Sequence, residues 1–212
     1  MGIPVNNRNL PYVLGVLCLI PLGGTLYRLT EIVMSGQWRF NFSPEAVDRL
    51  PLFIHALAMM AFLGLGVFQL SGRLRTKRPA VHRSLGRIAG MGAIIGGASG
   101  VWMTLMHLEI STPLLITGRL FFGSAMAVFT ILAIQSAIQK DFASHRAWII
   151  RAYAIGINAA TLPFVYLPIF LIVGEPTPIV DDAIQVAGWM INLAIAERFI
   201  VGRKSFLKGA SI

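Results

Sequence analysis

Apolar positions in this chain come in long unbroken runs, not in the stripe of a surface helix or the alternation of a half-buried strand. Six runs, roughly 11–30, 51–71, 84–106, 113–137, 147–172 and 179–202, each approach the length that a helix needs to cross hydrocarbon, about 20 mostly apolar residues. Backbone inside a bilayer must satisfy its own hydrogen bonds, so each run predicts a transmembrane helix. The polar segments between them are short, for example SGRLRTKRPAVHR and QKDFASHR. Sequence neighbours should therefore be antiparallel neighbours in space. The expected fold is an all-α integral membrane bundle. It forms a single domain over 1–212, with spans two to five as its core. The first run lacks the strongly basic start and small-residue cleavage site of a signal peptide. Arg28 and Glu31 close it as a membrane boundary would. The longest connection, about 31–50, carries Trp38, Phe40 and Phe42, which suit an interfacial segment.

Composition sharpens this picture. The chain is 56% hydrophobic and only 13% charged, about half the charged share of a soluble domain. Its net charge of +9 would fit nucleic acid, but the distribution along the chain excludes that class. With an N-in start, fourteen of the 18 basic residues share one side. These are Arg8, the six from Arg73 to Arg87, Lys140, Arg146, Arg151, Arg198, Arg203, Lys204 and Lys208. Arg28, Arg39, Arg49 and Arg119 fall on the other side, with most of the acids, including Glu109, Asp181 and Asp182. Basic loops stay in the cytoplasm, so both termini are expected inside, in a multi-pass protein of a bacterial cytoplasmic membrane. The expected partner of the basic side is anionic lipid. Cys18 is the single cysteine, which leaves no thiol pair for a metal or redox site.

One phrase is written twice. GVFQLSGRLRTKRPAVHRSLGR aligns with TILAIQSAIQKDFASHRAWIIR when the first loop is given three extra residues. Gln69 then matches Gln135 and His82 matches His145, so spans two–three and four–five read as two copies of one hairpin. Span three, RIAGMGAIIGGASGVWM, is rich in small residues spaced for close helix approach. The alternative use of that surface is room for a flat ligand. Pro163 and Pro168 predict a kink in span five.

The candidate chemistry rests on four histidines and several arginines. His55 and His107 fall near the outer side of adjacent antiparallel spans. A bis-imidazole haem needs one His from each of two facing helices at one depth. His82 and His145 mark the cytoplasmic starts of spans three and five. His82 and His107 are 25 residues apart, about 37 Å on a continuous helix, against about 30 Å of hydrocarbon. They cannot both be buried, so His82 is expected at the interface. There Arg83 and Arg87, like Arg146 and Arg151 beside His145, would hold lipid phosphates. The alternative is that all six converge on one headgroup or cofactor acid. Arg119, about two turns into span four, must face an anion or water. Glu109, a haem propionate or a quinone carbonyl would serve. No phosphate loop, HExxH or paired carboxylate within a span occurs, so no catalytic residue is assigned and a proton- or sodium-coupled pump is not expected.

These residues resemble the membrane-protein family designated domain of unknown function 2306. Its pattern is matched by His55, then Gly66, Phe68 and Gln69, then His82, Arg83, Gly86 and Arg87, and finally His145, Arg146, Trp148, Arg151, Tyr153 and Ala154. Ile149 stands where the pattern has Met. The resemblance implies a multi-pass membrane protein but brings no activity with it. The architecture is also loosely similar to six-helix b561-type cytochromes, whose four central helices hold two haems. Span four here has no histidine, so that likeness implies one haem. Two functions are therefore expected in competition. One is a b-type haem or related tetrapyrrole protein passing electrons near a quinone pool, with His55 and His107 as axial ligands and Arg119 on a propionate. The other is a cofactor-free accessory subunit docking against a larger membrane complex. On either reading, a reporter fused after Lys208 should report a cytoplasmic location, and a periplasmic signal would reverse the side assignment.

Overall fold

The computed structural model describes residues 10–34, 44–108 and 111–209, and Trp38, Phe40, Phe42 and Glu109 lie outside them. Eight helices follow in order: α1 (Leu10–Met34), α2 (Pro44–Gln69), α3 (Gly72–Lys77), α4 (Pro79–Met106), α5 (Pro113–Ile138), α6 (Phe142–Gly156), α7 (Asn158–Val173) and α8 (Pro178–Gly209). No strand occurs among the described residues. Helices α1, α2, α4, α5 and α8 each contain a stretch long and apolar enough to cross a membrane. Helices α6 and α7 pass the same test together, with a bend of 48° between them. The fold class is the one expected, with five apolar spans, or six when the bent pair is counted as one.

Helices α2, α4 and α6 each start several residues ahead of their apolar runs. Helix α4 starts at Pro79, before the run that begins near 84, because a proline in the first turn has no N–H to leave unpaired. Its 28 residues extend about 42 Å, so its first turns overhang the hydrocarbon and carry His82, Arg83 and Arg87 within the helix. The short α3 ahead of it was not expected. Ser71 caps α3 by accepting from the Leu74 N–H at 3.4 Å. At the matching place in the second hairpin, Asp141 caps α6 by accepting from the Ser144 N–H at 3.0 Å. Hydrogen bonds from the Ser144 side chain and backbone hold the Asp141 carboxyl below its ordinary pKa. That contribution is present above the unfolded pKa and is lost as pH falls through the folded one.

The bend falls at Ile157, ahead of both prolines. There Ala160 N–H reaches back only three residues, to the Ile157 carbonyl at 2.8 Å, a tighter turn that swings the helix axis. Pro163 follows one turn later with no N–H, and a proline ring crowds the carbonyl four residues before it.

Helix α4 is central. It packs along α2 on one side and α5 on the other. Helix α5 continues onto α6, α6 and α7 lie on α8, and α1 covers α2 and α7. The glycines of α4 set these distances. A Cβ on Gly92 would stand 2.6 Å from the Ala58 carbonyl oxygen of α2. One on Gly97 would stand 2.5 Å from the Gly123 carbonyl oxygen of α5. Phe62, Met126 and Tyr153 fill the space beside them. The Tyr153 hydroxyl donates to the Leu63 carbonyl at 3.1 Å and lies 3.3 Å from Cys18 Sγ, tying α6 to α2 and α1. Serine and threonine hydroxyls that face the interior return to their own helix. Thr104, Thr130 and Ser136 each donate to the carbonyl four residues back at 2.8 Å, so they need no partner from a neighbouring helix.

The close approach of α4 to α5 can be tested separately from helix propensity. Gly97→Ala forces α4 and α5 apart at their backbones and should lower stability by about 1–3 kcal/mol, an overpacking cost. Gly90→Ala meets Ile134 Cδ1 at 3.5 Å and Thr130 Cγ2 at 3.8 Å, both ordinary contacts, and should show no such loss. Thermal unfolding of both variants in one detergent makes the comparison, and equal melting temperatures would refute the close-approach argument.

Candidate functional site

The two copies of the repeated phrase fold as the two hairpins expected, α2–α4 and α5–α6, and each histidine holds its hairpin closed. With its amide oriented to satisfy its neighbours, Gln69 at the end of α2 donates to His82 Nδ1 and to the His82 carbonyl, both at 3.0 Å. Its oxygen accepts from the Gly86 N–H at 3.2 Å. Gly86 must be small here, because a Cβ would meet that amide at 3.0 Å. In the second hairpin His145 Nδ1 lies 2.8 Å from the Ala133 carbonyl oxygen of α5. A carbonyl only accepts, so Nδ1 carries the proton there and Nε2 of the neutral ring keeps its lone pair. His82 is the opposite: its Nδ1 accepts, so its neutral ring carries the proton on Nε2. His145, Arg75 and Arg83 all lie within electrostatic range of His82. The structure thus brings the inner histidines to one end of the bundle.

Exposed cations surround that end. Arg73, Arg75, Lys77 and Arg78 on α3 and its cap, and Arg83 and Arg87 on α4, are all exposed. Arg146 is half-buried on α6. Arg151 is arranged differently from the headgroup contact expected of it. Its guanidinium makes a two-armed ion pair with Glu197 of α8, with Nη2 donating to Oε2 at 2.9 Å and Nε donating to Oε1. Its Cζ also stands 4.7 Å over the Trp148 ring, a cation–π contact. Glu197 is the residue that the sequence reading passed over. The readable signal was a carboxylate inside an apolar span, which requires a cation at its own depth.

The outer histidines are not brought together as a pair. Helix α2 begins at Pro44, so His55 lies about three turns inside it. His55 Nδ1 lies 2.9 Å from the Gly96 carbonyl oxygen and 3.2 Å from Ser99 Oγ. Its Cε1 packs 3.4 Å from where a Gly100 Cβ would be. His107 is instead the cap that ends α4, its N–H donating to the Thr104 carbonyl at 3.3 Å. Between the level of Gly96–Gly100 and His107 lie seven to eleven residues, about 10–16 Å along the axis. One iron cannot be shared across that rise. The small-residue face of α4 is also occupied, by the backbones of α2 and α5 at Gly92 and Gly97. It serves helix packing, not a flat ligand. Arg119 Nη1 donates to Ser111 Oγ at 3.2 Å, and beside it the buried Asp182 accepts from the Thr112 N–H at 3.2 Å. Among the described residues no group of three or more His, Cys, Asp or Glu could hold a metal ion.

Fold and site together define a multi-spanning helical membrane protein, braced by hairpin locks and basic at one end. The family of predicted membrane proteins named DUF2306 matches residues 52–200, from α2 to α8, and the chain belongs to it. Comparison with curated proteins and with solved structures finds no match.

The Arg151–Glu197 pair is open to a double-mutant cycle. Glu197 is 44% exposed, so screening limits the coupling to about 1 kcal/mol. Arg151→Leu should destabilise more than Arg151→Leu combined with Glu197→Leu, because the single variant takes the guanidinium from a carboxylate that keeps its charge. Thermal unfolding of the four proteins gives the coupling, and strict additivity would remove the pair's energetic role.

Proposed function

We propose that this protein works without a cofactor, as an accessory component of the membrane that gathers anionic lipid headgroups at its basic end. The observation that carries this reading is the exposed cluster Arg73, Arg75, Lys77, Arg78, Arg83 and Arg87. It sits where α4 overhangs the hydrocarbon. A Lys or Arg near an anionic surface contributes about 1 kcal/mol, and six on one short segment act together. The same asymmetry of charge supports a cytoplasmic orientation for this end, in a bacterial inner membrane. The hairpin locks at His82 and His145 then fix the height at which the cluster meets the headgroups. Melting of the protein in nanodiscs of phosphatidylcholine, alone or with phosphatidylglycerol, tests this. The anionic lipid should raise the melting temperature, and both salt and the variant R73Q/R75Q/R83Q/R87Q should remove the gain. Equal melting in the two lipids would overturn the reading.

A second reading keeps a b-type haem or related tetrapyrrole near a quinone pool, with the inner histidines in place of the outer ones. The observation that favours it is His145, whose Nδ1 is held by a backbone carbonyl while Nε2 is left as the free donor atom, as in many ligating histidines. His82 would have to give up its bond to Gln69. A Soret band that shifts on reduction, lost in His145→Ala and His82→Ala but kept in His55→Ala, would establish this reading. A colourless purified protein would exclude it.

A further inference from the structure

The two hairpins meet at the basic end, and the histidine that locks each one leaves a ring nitrogen unused. Helices α2 and α6 touch where a Cβ on Gly66 would stand 2.5 Å from the Tyr153 ring. From that contact Gln69, which holds His82, lies about one turn nearer the basic end, and His145 about two turns nearer it. His82 and His145 both fall in the first turn of a helix, α4 and α6, and both are half-buried. His145, Arg75 and Arg83 all stand within electrostatic range of the His82 ring. Helices α3, α4 and α6 thus bring both imidazoles and a pair of guanidiniums to one place.

Among the described residues, no carboxylate answers that charge. Arg75 and Arg83 are exposed and make no ion pair there. The carboxylates that reach α6 are already engaged, Asp141 in capping it and Glu197 in holding Arg151. The hydrogen-bonding pattern is more specific than the charge. Arg75 and Arg83 can only donate. His82 accepts from Gln69 at Nδ1, so its Nε2–H is a further donor. His145 donates from Nδ1 to the Ala133 carbonyl, so its Nε2 lone pair is an acceptor. Donors on three side chains and an acceptor on the fourth are the complement of an anion that carries its own hydroxyl.

We propose that Arg75, His82, Arg83 and His145 bind a phosphomonoester, either the headgroup of phosphatidic acid or free phosphate. Its charged oxygens accept from the two guanidiniums and from His82 Nε2–H, and its P–OH donates to His145 Nε2. A monoester loses its second proton at a pKa of about 6, so that hydroxyl is within reach near neutral pH. A phosphodiester such as phosphatidylglycerol has no hydroxyl on phosphorus and leaves His145 Nε2 unanswered. The proposal rests on the reading of this end as a headgroup surface, and adds which headgroup it selects.

Spin-labelled lipids at trace level, in phosphatidylcholine vesicles holding the full chain, test this through the fraction of each lipid immobilised at the protein. Phosphatidic acid should associate about tenfold more strongly than phosphatidylglycerol, the scale of one hydrogen bond to a charged group. R75Q/R83Q should remove that preference. R73Q/R87Q takes the same charge from the rest of the cluster and should keep it. Inorganic phosphate that displaces spin-labelled phosphatidic acid, where sulfate at equal ionic strength does not, would make free phosphate a ligand. Displacement by unlabelled phosphatidic acid alone would make the lipid the ligand. Equal association of the two anionic lipids, or an equal loss of preference in the two double variants, would overturn the proposal and leave the headgroup surface standing. Association of both no stronger than that of phosphatidylcholine would overturn the surface as well.

Discussion

The contact of bare backbone with bare backbone on both sides of α4 is the constraint on which the rest depends. Lipid tails are as apolar as leucine, so the hydrophobic effect gives two membrane helices little reason to associate. Close packing must do that work, and it falls off steeply with distance. Gly92 against Ala58 and Gly97 against Gly123 bring three helices within reach of one another's main chains. Once α2, α4 and α5 are set at that spacing, Phe62, Met126 and Tyr153 have a defined volume to fill. Tyr153 then reaches two further helices through its hydroxyl.

The ends of the bundle are fixed by hydrogen bonds, because that is where water and headgroups begin. Each hairpin is closed by a histidine in the first turns of its second helix, bonded to the last turns of its first. The partners differ: a glutamine side chain for His82 and a main-chain carbonyl for His145. The two copies therefore share a position and a task, but not a contact. This also accounts for the glycine of the first copy, since Gln69 needs the space at Gly86. The second copy has Ile149 near the matching place and no side chain that must enter there.

Among the described residues, polar side chains inside the spans are mostly paired. Serine and threonine hydroxyls return to their own helix, Tyr153 reaches Leu63, Arg151 meets Glu197, and the Asn192 and Thr161 side chains meet each other. Asn158 Oδ1 stands outside that pattern, at the point where the span bends. A buried acceptor without a donor is destabilising in hydrocarbon.

Much of this architecture was legible in the residues. Six apolar runs of sufficient length, short polar links and a one-sided distribution of Lys and Arg determine an all-helical bundle and its basic end, because hydrocarbon admits no unpaired backbone. The spacing of small residues in α4 likewise announced close helix contact. Depth and pairing were not legible. His55 and His107 looked level from the span boundaries alone, but His55 meets Gly96 and Ser99, eight to eleven residues before His107 on α4. Glu197 lies 46 positions from Arg151, and no local pattern joins them. The bend came at Ile157 and not at a proline, and Asn158 next to it lies against Gly188. A linear sequence specifies each helix through contacts three and four residues apart. Which atoms meet across helices depends on register and rotation, and these are fixed only when the whole bundle packs.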